Sequence, residues 1–473
     1  MTRITICLFI ATAAARAGSF DQQFETIKKT ANKSQLYALL WDVPKGGDLH
    51  NHFGLSNMAE QWYDAATNKK RTNGNEFYTR TMINNCPDSV EPLLRFRTIQ
   101  RSNYLSMSDC RKAEYQNLAT LSPQLKTEWL SAMKLDREGE GRDEFFEVIG
   151  KRLGDLFRDP WLATDLLVEN MKRYSAQGLR YLETQAGVGL FQDHDGKPLD
   201  AEVGVKMFRD ALERPDAKAT GMTVRFLSTI GRFAPNAEES LERAYQFVDG
   251  HRDMWVGINM AGREDNDKGY PLRLLDTFRK MRRTYTGIQL SLHGGEVDSP
   301  GNDVRKTLML GATRIGHGVN LITDPDTMLL MQGGKYLVEI NLISNKLLEY
   351  VPDLSKHPFP EYLRFGIPVC LNTDDPGVWD SNMTDEYFTA VTSFNLSWKE
   401  IVQIGRDSLR YSFVESPVKE RLVKEYEEAI ARFEHKYGDA GWAERVAGVK
   451  PMYSGYTTRS LLGKGASGVS GGR

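Results

Sequence analysis

The densest chemistry in the chain lies in Ser291-Leu292-His293-Gly294-Gly295-Glu296. The apolar run Ile288–Leu292 has the length and composition of a buried strand, and the paired glycines let the backbone turn where it ends. An imidazole and a carboxylate are thereby set at one strand tip, the first able to hold a metal, the second to move protons. His50 and His52 form an H-x-H pair. On extended backbone, side chains two apart face the same way, so both imidazoles aim at one point. His317 closes another β-type run, and Asp374-Asp375 ends a further one. Three imidazoles and one carboxylate suit a borderline ion such as zinc, one per chain, with room for a water whose pKa falls towards about 7. One aspartate can ligate while its neighbour, pointing elsewhere, accepts a proton or orients the water. The plain alternative for Asp374-Asp375-Pro376 is a turn.

These residues must be positioned by a repeating scaffold, because each ends a short β-type run. The runs are Gly47–His52, Leu179–Thr184, Thr223–Thr229, Trp255–Met260, Ile288–His293, Thr313–His317, Tyr336–Asn341 and Ile367–Asn372. Helical patterns fill the gaps from residue 160 onward. Eight such units predict an α/β fold, a (β/α)8 TIM barrel of the metal-dependent hydrolase type, whose chemistry gathers at the C-terminal ends of the strands. The alternative is an open doubly wound sheet, but no G-x-G-x-x-G turn follows the early strands. The fourth run holds no lysine that could bridge two metals, which favours a single ion. A polar stretch, about 68–150, is expected to be a mostly helical insertion after strand one. Its basic clusters, Lys69-Lys70-Arg71 and Arg95, Arg97, Arg101, are expected on a solvated face. Residues 18–43 form an N-terminal helical segment, with 21–40 read as helix. The barrel occupies 44–462, and the Gly/Ser-rich end, 463–473, is expected to be flexible.

Lysine and arginine number 61 against 63 acidic residues, a net charge of −2. That balance gives no reason to expect nucleic acid or an anionic membrane as partner. Arg3, the apolar stretch Ile4–Ala15 and Ala15-Arg16-Ala17 fit a signal peptide over 1–17, so the mature chain is expected to be secreted or periplasmic. No later run approaches the ~20 apolar residues that span a bilayer. Cys7 leaves with the signal; Cys86 and Cys110 share one polar segment and could pair in an oxidising compartment. Cys370, in an apolar run, is expected to be an inert small hydrophobe. A homodimer is left open.

With these motifs in view, the sequence resembles the adenosine deaminase family. The resemblance rests on His50-x-His52, Met260-Ala261-Gly262, His293-Gly294-Gly295-Glu296, Arg314-Ile315-Gly316-His317-Gly318, Val338-Glu339-Ile340 with Ser344-Asn345, and Leu371-Asn372-Thr373-Asp374-Asp375-Pro376, in the family's order. It is most similar to the secreted branch, the adenosine-deaminase-related growth factors, whose insertion carries a disulfide that Cys86 and Cys110 would match. The resemblance implies zinc held by His50, His52, His293 and Asp374, and a purine nucleoside, adenosine or 2′-deoxyadenosine, as substrate. Glu296 would protonate the ring at N1, His317 would stabilise charge on the attacking hydroxide, and Asp375 would orient that hydroxide and contact N7. The backbone of Gly262 would approach N3. Arg314 is read as structural. The first motif departs from the family's H-x-H-L-D-G, whose aspartate helps hold the ribose: here Gly54 stands at that position. Ribose recognition is then expected from Trp62, Glu183 or the insertion. Two other readings are an adenine nucleotide or modified nucleoside as substrate, and an extracellular nucleoside-binding or signalling protein. The second predicts loss of Glu296, His317 or Asp375, and all three are present.

Overall fold

The computed structural model describes residues 20–89, 91–265 and 268–463. The expected signal segment and the tail beyond 463 lie outside the described residues. Eleven strands are present among them: β1 (Gly46–Asp48), β2 (Phe77–Arg80), β3 (Thr98–Gln100), β4 (Tyr115–Asn117), β5 (Leu179–Gln185), β6 (Thr223–Gly231), β7 (Trp255–Ala261), β8 (Gln289–Gly294), β9 (Arg314–His317), β10 (Leu337–Ile340) and β11 (Val369–Leu371). Eight of them form one parallel sheet in the order β1-β5-β6-β7-β8-β9-β10-β11. Strands β9, β10 and β11 are buried along their whole length, as expected where helices cover a parallel sheet.

The barrel is closed by the residues that follow β1 and β11. Asn51 bridges Asp374 in parallel register. The His52 amide donates to the Asp374 carbonyl at 3.0 Å, and the Asp374 amide to the His50 carbonyl at 2.9 Å. The H-x-H pair therefore lies just past β1 rather than on it, still in extended pairing. At the other end of the interior, Arg314 pairs with Glu183 at 2.6 Å and Glu339 at 2.7 Å, all three buried. With two carboxylates beside it, the guanidinium is not left as a lone buried charge. Arg314 is thus structural, as its place inside β9 implied.

Two expectations need correction. The helix over 21–40 is two helices, one over 20–30 and one over Lys33–Asp42. Asn32 and Gln35 form a capping box that starts the second, so the break was written in the side chains. The insertion is not mostly helical: β2, β3 and β4 make an antiparallel sheet in the order β3-β2-β4. Strands of three or four residues carry too little alternation to stand out. Cys86 and Cys110 are joined as a disulfide next to this sheet. Four of the six residues in its basic clusters form ion pairs: Lys69 and Arg101 with Glu76, Arg71 with Asp165 and Glu169, and Arg95 with Glu128.

Candidate active site

The strand ends bring His50, His52, His293, His317, Asp374, Asp375 and Glu296 together. Ring centroids of His50 and His293 lie 4.5 Å apart, those of His50 and His317 4.9 Å, and His52 stacks on His293 at 5.3 Å. One nitrogen or oxygen from each of His50, His293, His317 and Asp374 falls within a sphere of mutual distances below 4.8 Å, and His52 forms a second such group with Asp374 and Asp375. His50 Nε2, His52 Nε2 and Asp374 Oδ1 are buried without any hydrogen-bond partner. Buried polar atoms are seldom left so. A cation-sized demand for lone pairs explains all three at once. Two non-glycine residues here, His317 (φ 66°) and Asp374 (φ 59°), adopt left-handed backbone, a strain concentrated at functional sites.

Neighbouring side chains aim each imidazole. His50 Nδ1 donates to Glu339 Oε2 at 2.7 Å, and Glu339 is fixed in turn by Arg314 and by Ser291 Oγ at 2.8 Å. This leaves His50 Nε2 free for the cluster. His293 Nδ1 donates to Asn259 Oδ1 at 3.1 Å, and His52 Nδ1 to Asp375 Oδ1 at 2.9 Å. Carboxylates or amides behind ligand histidines set their tautomer and basicity. The His293–Glu296 turn is clamped from outside: Arg232 donates to the His293 carbonyl at 2.7 Å, and Glu264 accepts from the amides of Gly295 and Glu296 at 2.9 and 3.2 Å.

Burial sets the protonation pattern. It pushes the Glu296 carboxyl well above its usual range, with the charges of Asp374 and Glu264 adding to the effect. The shift favours the protonated acid beyond the ordinary carboxylate range. Burial would also raise Asp374, but the contacts with His50 and His52 outweigh it and hold that group well below the usual carboxylate range. His317 is kept neutral by burial against the pull of Asp374.

The cluster floors a cavity of about 230 Å³ whose outer walls are Leu55, Phe145, Phe146, Gly150 and Leu348. Phe145, Phe146 and Gly150 come from the end of the insertion. Phe145 is braced on Trp379, ring centroids 5.0 Å apart. Arg142 donates to the carbonyl of Leu348 at 3.1 Å and reaches Asp265 at 3.4 Å and Asp298 at 3.2 Å over the Tyr350 ring, while Arg263 holds Asp143 at 2.7 Å. A larger hollow of about 340 Å³ opens beside Val297 and Tyr350 and holds none of the clustered groups.

A family model described as adenosine deaminase matches residues 119–429. The chain belongs to the adenosine deaminase family. It is an enzyme of the adenosine deaminase-like hydrolase type. It is 34% identical to the adenosine deaminase of Plasmodium gallinaceum over 40% of this chain and 52% of that protein, so the match spans about half of that relative. It is 27% identical to the N6-methyl-AMP deaminase of Danio rerio over 66% of this chain and 89% of that one. The fold is shared with a Burkholderia ambifaria amidohydrolase solved with bound Zn, at TM-score 0.60 and 17% identity, covering 85% of this chain and 95% of that one.

Against that family, the expectation for Glu183 fails. Its carboxylate is spent on Arg314, the Tyr181 hydroxyl at 2.5 Å and the Phe413 amide, deep in the barrel. Trp62 donates its indole N–H to the Gly54 carbonyl at 3.3 Å, and of the three candidates only the insertion lines the cavity. Gly262 lines the cavity with φ 108°, and a carbon added there would strike Phe233 at 2.5 Å. Sequence reasoning assigned no role to Asn259, Glu339 or Glu264. Glu339 lay in a quoted motif, whereas Glu264 gave no signal of its own.

Proposed function

We propose that this enzyme hydrolytically deaminates adenosine and 2′-deoxyadenosine, giving inosine and 2′-deoxyinosine and releasing ammonia, with one zinc ion per chain. One observation carries the reading: His50 Nε2, His52 Nε2 and Asp374 Oδ1 stand unpartnered in one buried cluster beside Glu296, whose pKa burial raises. The donor set of His50, His52, His293 and Asp374 suits zinc, a borderline ion that takes imidazole and carboxylate together. Zinc, when bound, supplies a Lewis acid that makes water nucleophilic at neutral pH.

The chain's own residues supply the rest. Glu296 delivers its proton to ring N1, so that electron density entering at C6 is accepted by the ring. His317 faces the attacking oxygen and stabilises the charge that develops there. Asp375, raised by burial, can hold a proton towards N7 while its position against His52 orients the water. Gly262 offers backbone alone to the ring edge at N3. Ammonia then departs from C6 as the 6-oxo product forms.

A nucleotide substrate fits less well. Among the described residues no lysine or arginine lines the cavity, and Arg142 and Arg263 are matched by Asp143, Asp265 and Asp298. Among the described lining residues a 5′-phosphate would meet no positive charge. A binding or signalling role has no comparable support, because the acid, the charge-stabilising histidine and the paired aspartates are all in place. The Cys86–Cys110 disulfide supports placing the reaction in an oxidising compartment, outside the cell or in a periplasm.

The test is a panel of adenosine, 2′-deoxyadenosine, AMP and N6-methyl-AMP, followed by ammonia release and ultraviolet absorbance. Turnover of the two nucleosides above the nucleotides is expected. Efficient turnover of the nucleotides alone would refute the substrate assignment.

A further inference from the structure

We propose that His357, acting through Asn345, fixes the ring proton of His317 on Nε2, which makes Asn345 and His357 positioning residues for the reaction. The inference rests on the reading of His317 as the group facing the attacking oxygen, but the tautomer can be measured without turnover.

The argument starts at a group whose hydrogen is not in question. The backbone N–H of Phe359 points at His357 Nδ1, 3.1 Å away. A backbone amide can only donate, so Nδ1 accepts. His357 is buried, and burial drops its pKa to about 3, so the ring is neutral. A neutral imidazole with an accepting Nδ1 carries its proton on Nε2. That nitrogen lies 3.1 Å from Asn345 Oδ1 and donates to it. Asn345 is fully buried, so its amide orientation is settled by this bond: oxygen towards His357, nitrogen towards His317. Asn345 Nδ2 lies 3.0 Å from His317 Nδ1 and donates to it. His317 Nδ1 is therefore an acceptor, and the neutral ring carries its proton on Nε2.

That proton is where the chemistry needs it. His317 Nε2 faces the cluster, 3.7 Å from Glu296 Oε1 and 4.0 Å from Asp374 Oδ2. With hydrogen there, the ring donates to oxygen as charge builds. With the other tautomer it would present a lone pair to a lone pair. The same relay keeps His317 from competing as a metal ligand through Nε2, although that residue lies as close to the cluster as His50 and His293 do. Asn341 does not decide the matter, since its Nδ2 is 3.3 Å from both ring nitrogens.

Asn345→Asp is the sharpest perturbation. The carboxylate is almost isosteric, still accepts from His357, and can only accept from His317, so it draws the proton to Nδ1. In serine proteases an imidazole left in the wrong tautomer loses about 10⁴ in kcat. Here kcat is expected to fall about 100-fold or more, with KM and bound metal within about threefold of the parent. His357→Phe, which removes the donor but keeps a ring, should lower kcat less in the parent and have little further effect in Asn345→Asp. Nitrogen-15 histidine spectra of the metal-loaded protein give the direct readout. His317 should show protonated Nε2 and bare Nδ1 in the parent, and the reverse in Asn345→Asp. A parent protein with His317 protonated on Nδ1 overturns the proposal even if the variant does not fold. So does a folded Asn345→Asp that keeps kcat within threefold. Failure of every 6-aminopurine to react would instead strike the functional reading and leave the spectra to decide the tautomer.

Discussion

The Phe157 ring fills the space that a side chain at position 54 would need: a carbon added to Gly54 would lie 2.6 Å from it. Phe157 is itself seated against Trp62, ring centroids 5.8 Å apart. The loss of the family's aspartate after the H-x-H pair and the presence of this ring are therefore one steric choice. Gly54→Ala should cost about 1–3 kcal/mol, the usual penalty of overpacking. In a Phe157→Ala background the same change should cost little. Thermal unfolding of the four proteins in the cycle measures the coupling, and simple additivity would show that the two positions do not contend for space.

Glu296 makes a prediction about pH. Burial and neighbouring carboxylates raise its pKa, so the acid form persists above the ordinary carboxylate range and is lost as pH rises through the raised value. Turnover should therefore decline on the alkaline side. Glu296→Gln keeps the shape but has no proton to give. It should retain fold and metal while losing at least about 100-fold in kcat, and its residual rate should lack the alkaline limb. Parallel pH–rate profiles decide this, and an unchanged rate in the variant would remove Glu296 from the mechanism.

Much of this site is visible in the linear chain because His293 and Asp374 end apolar runs and His50 and His52 stand two apart. The runs predict all eight barrel strands to within a few residues, since a buried parallel strand needs continuous apolar character. The groups that aim the ligands are hidden for a different reason. Glu339, Asn259 and Asn345 each act on a histidine from another strand end, and polar residues inside apolar runs look alike until the barrel closes. His357 sits in an ordinary surface-like sequence, Ser355-Lys356-His357-Pro358, and only burial reveals its role. The small sheet of β2, β3 and β4 was illegible because its strands are too short to show a period.

Glu339 tests how far the metal cluster depends on such support. Its carboxylate holds His50 Nδ1 at 2.7 Å and faces Arg314 at 2.7 Å. Glu339→Gln weakens both contacts without opening a cavity. Metal affinity should fall about 10–100-fold, measured by competition with a chelator. His293→Ala, which removes a proposed ligand outright, should leave the purified protein without stoichiometric metal by elemental analysis. Full metal content in His293→Ala would place the ion elsewhere.

His357 also links the relay to stability. Its folded pKa is about 3, against an ordinary value of 6.5, because burial disfavours the charged ring. Between those values the unfolded chain binds one more proton than the folded one, so stability from this group is complete above pH 6.5 and drains away as pH falls. At 1.36 kcal/mol per unit, the loss between pH 7 and pH 5 is about 2 kcal/mol. Buried carboxylates such as Asp48, raised to about 7, and Asp385, raised to about 6, titrate near the same window with the opposite sign, so the measurement that isolates His357 is a difference. Urea unfolding of the parent and His357→Phe at both pH values should show the parent losing about 2 kcal/mol more than the variant. Equal losses would mean that His357 takes up a proton as readily folded as unfolded, and then its Nδ1 could not be the acceptor from which the proton on His317 is assigned.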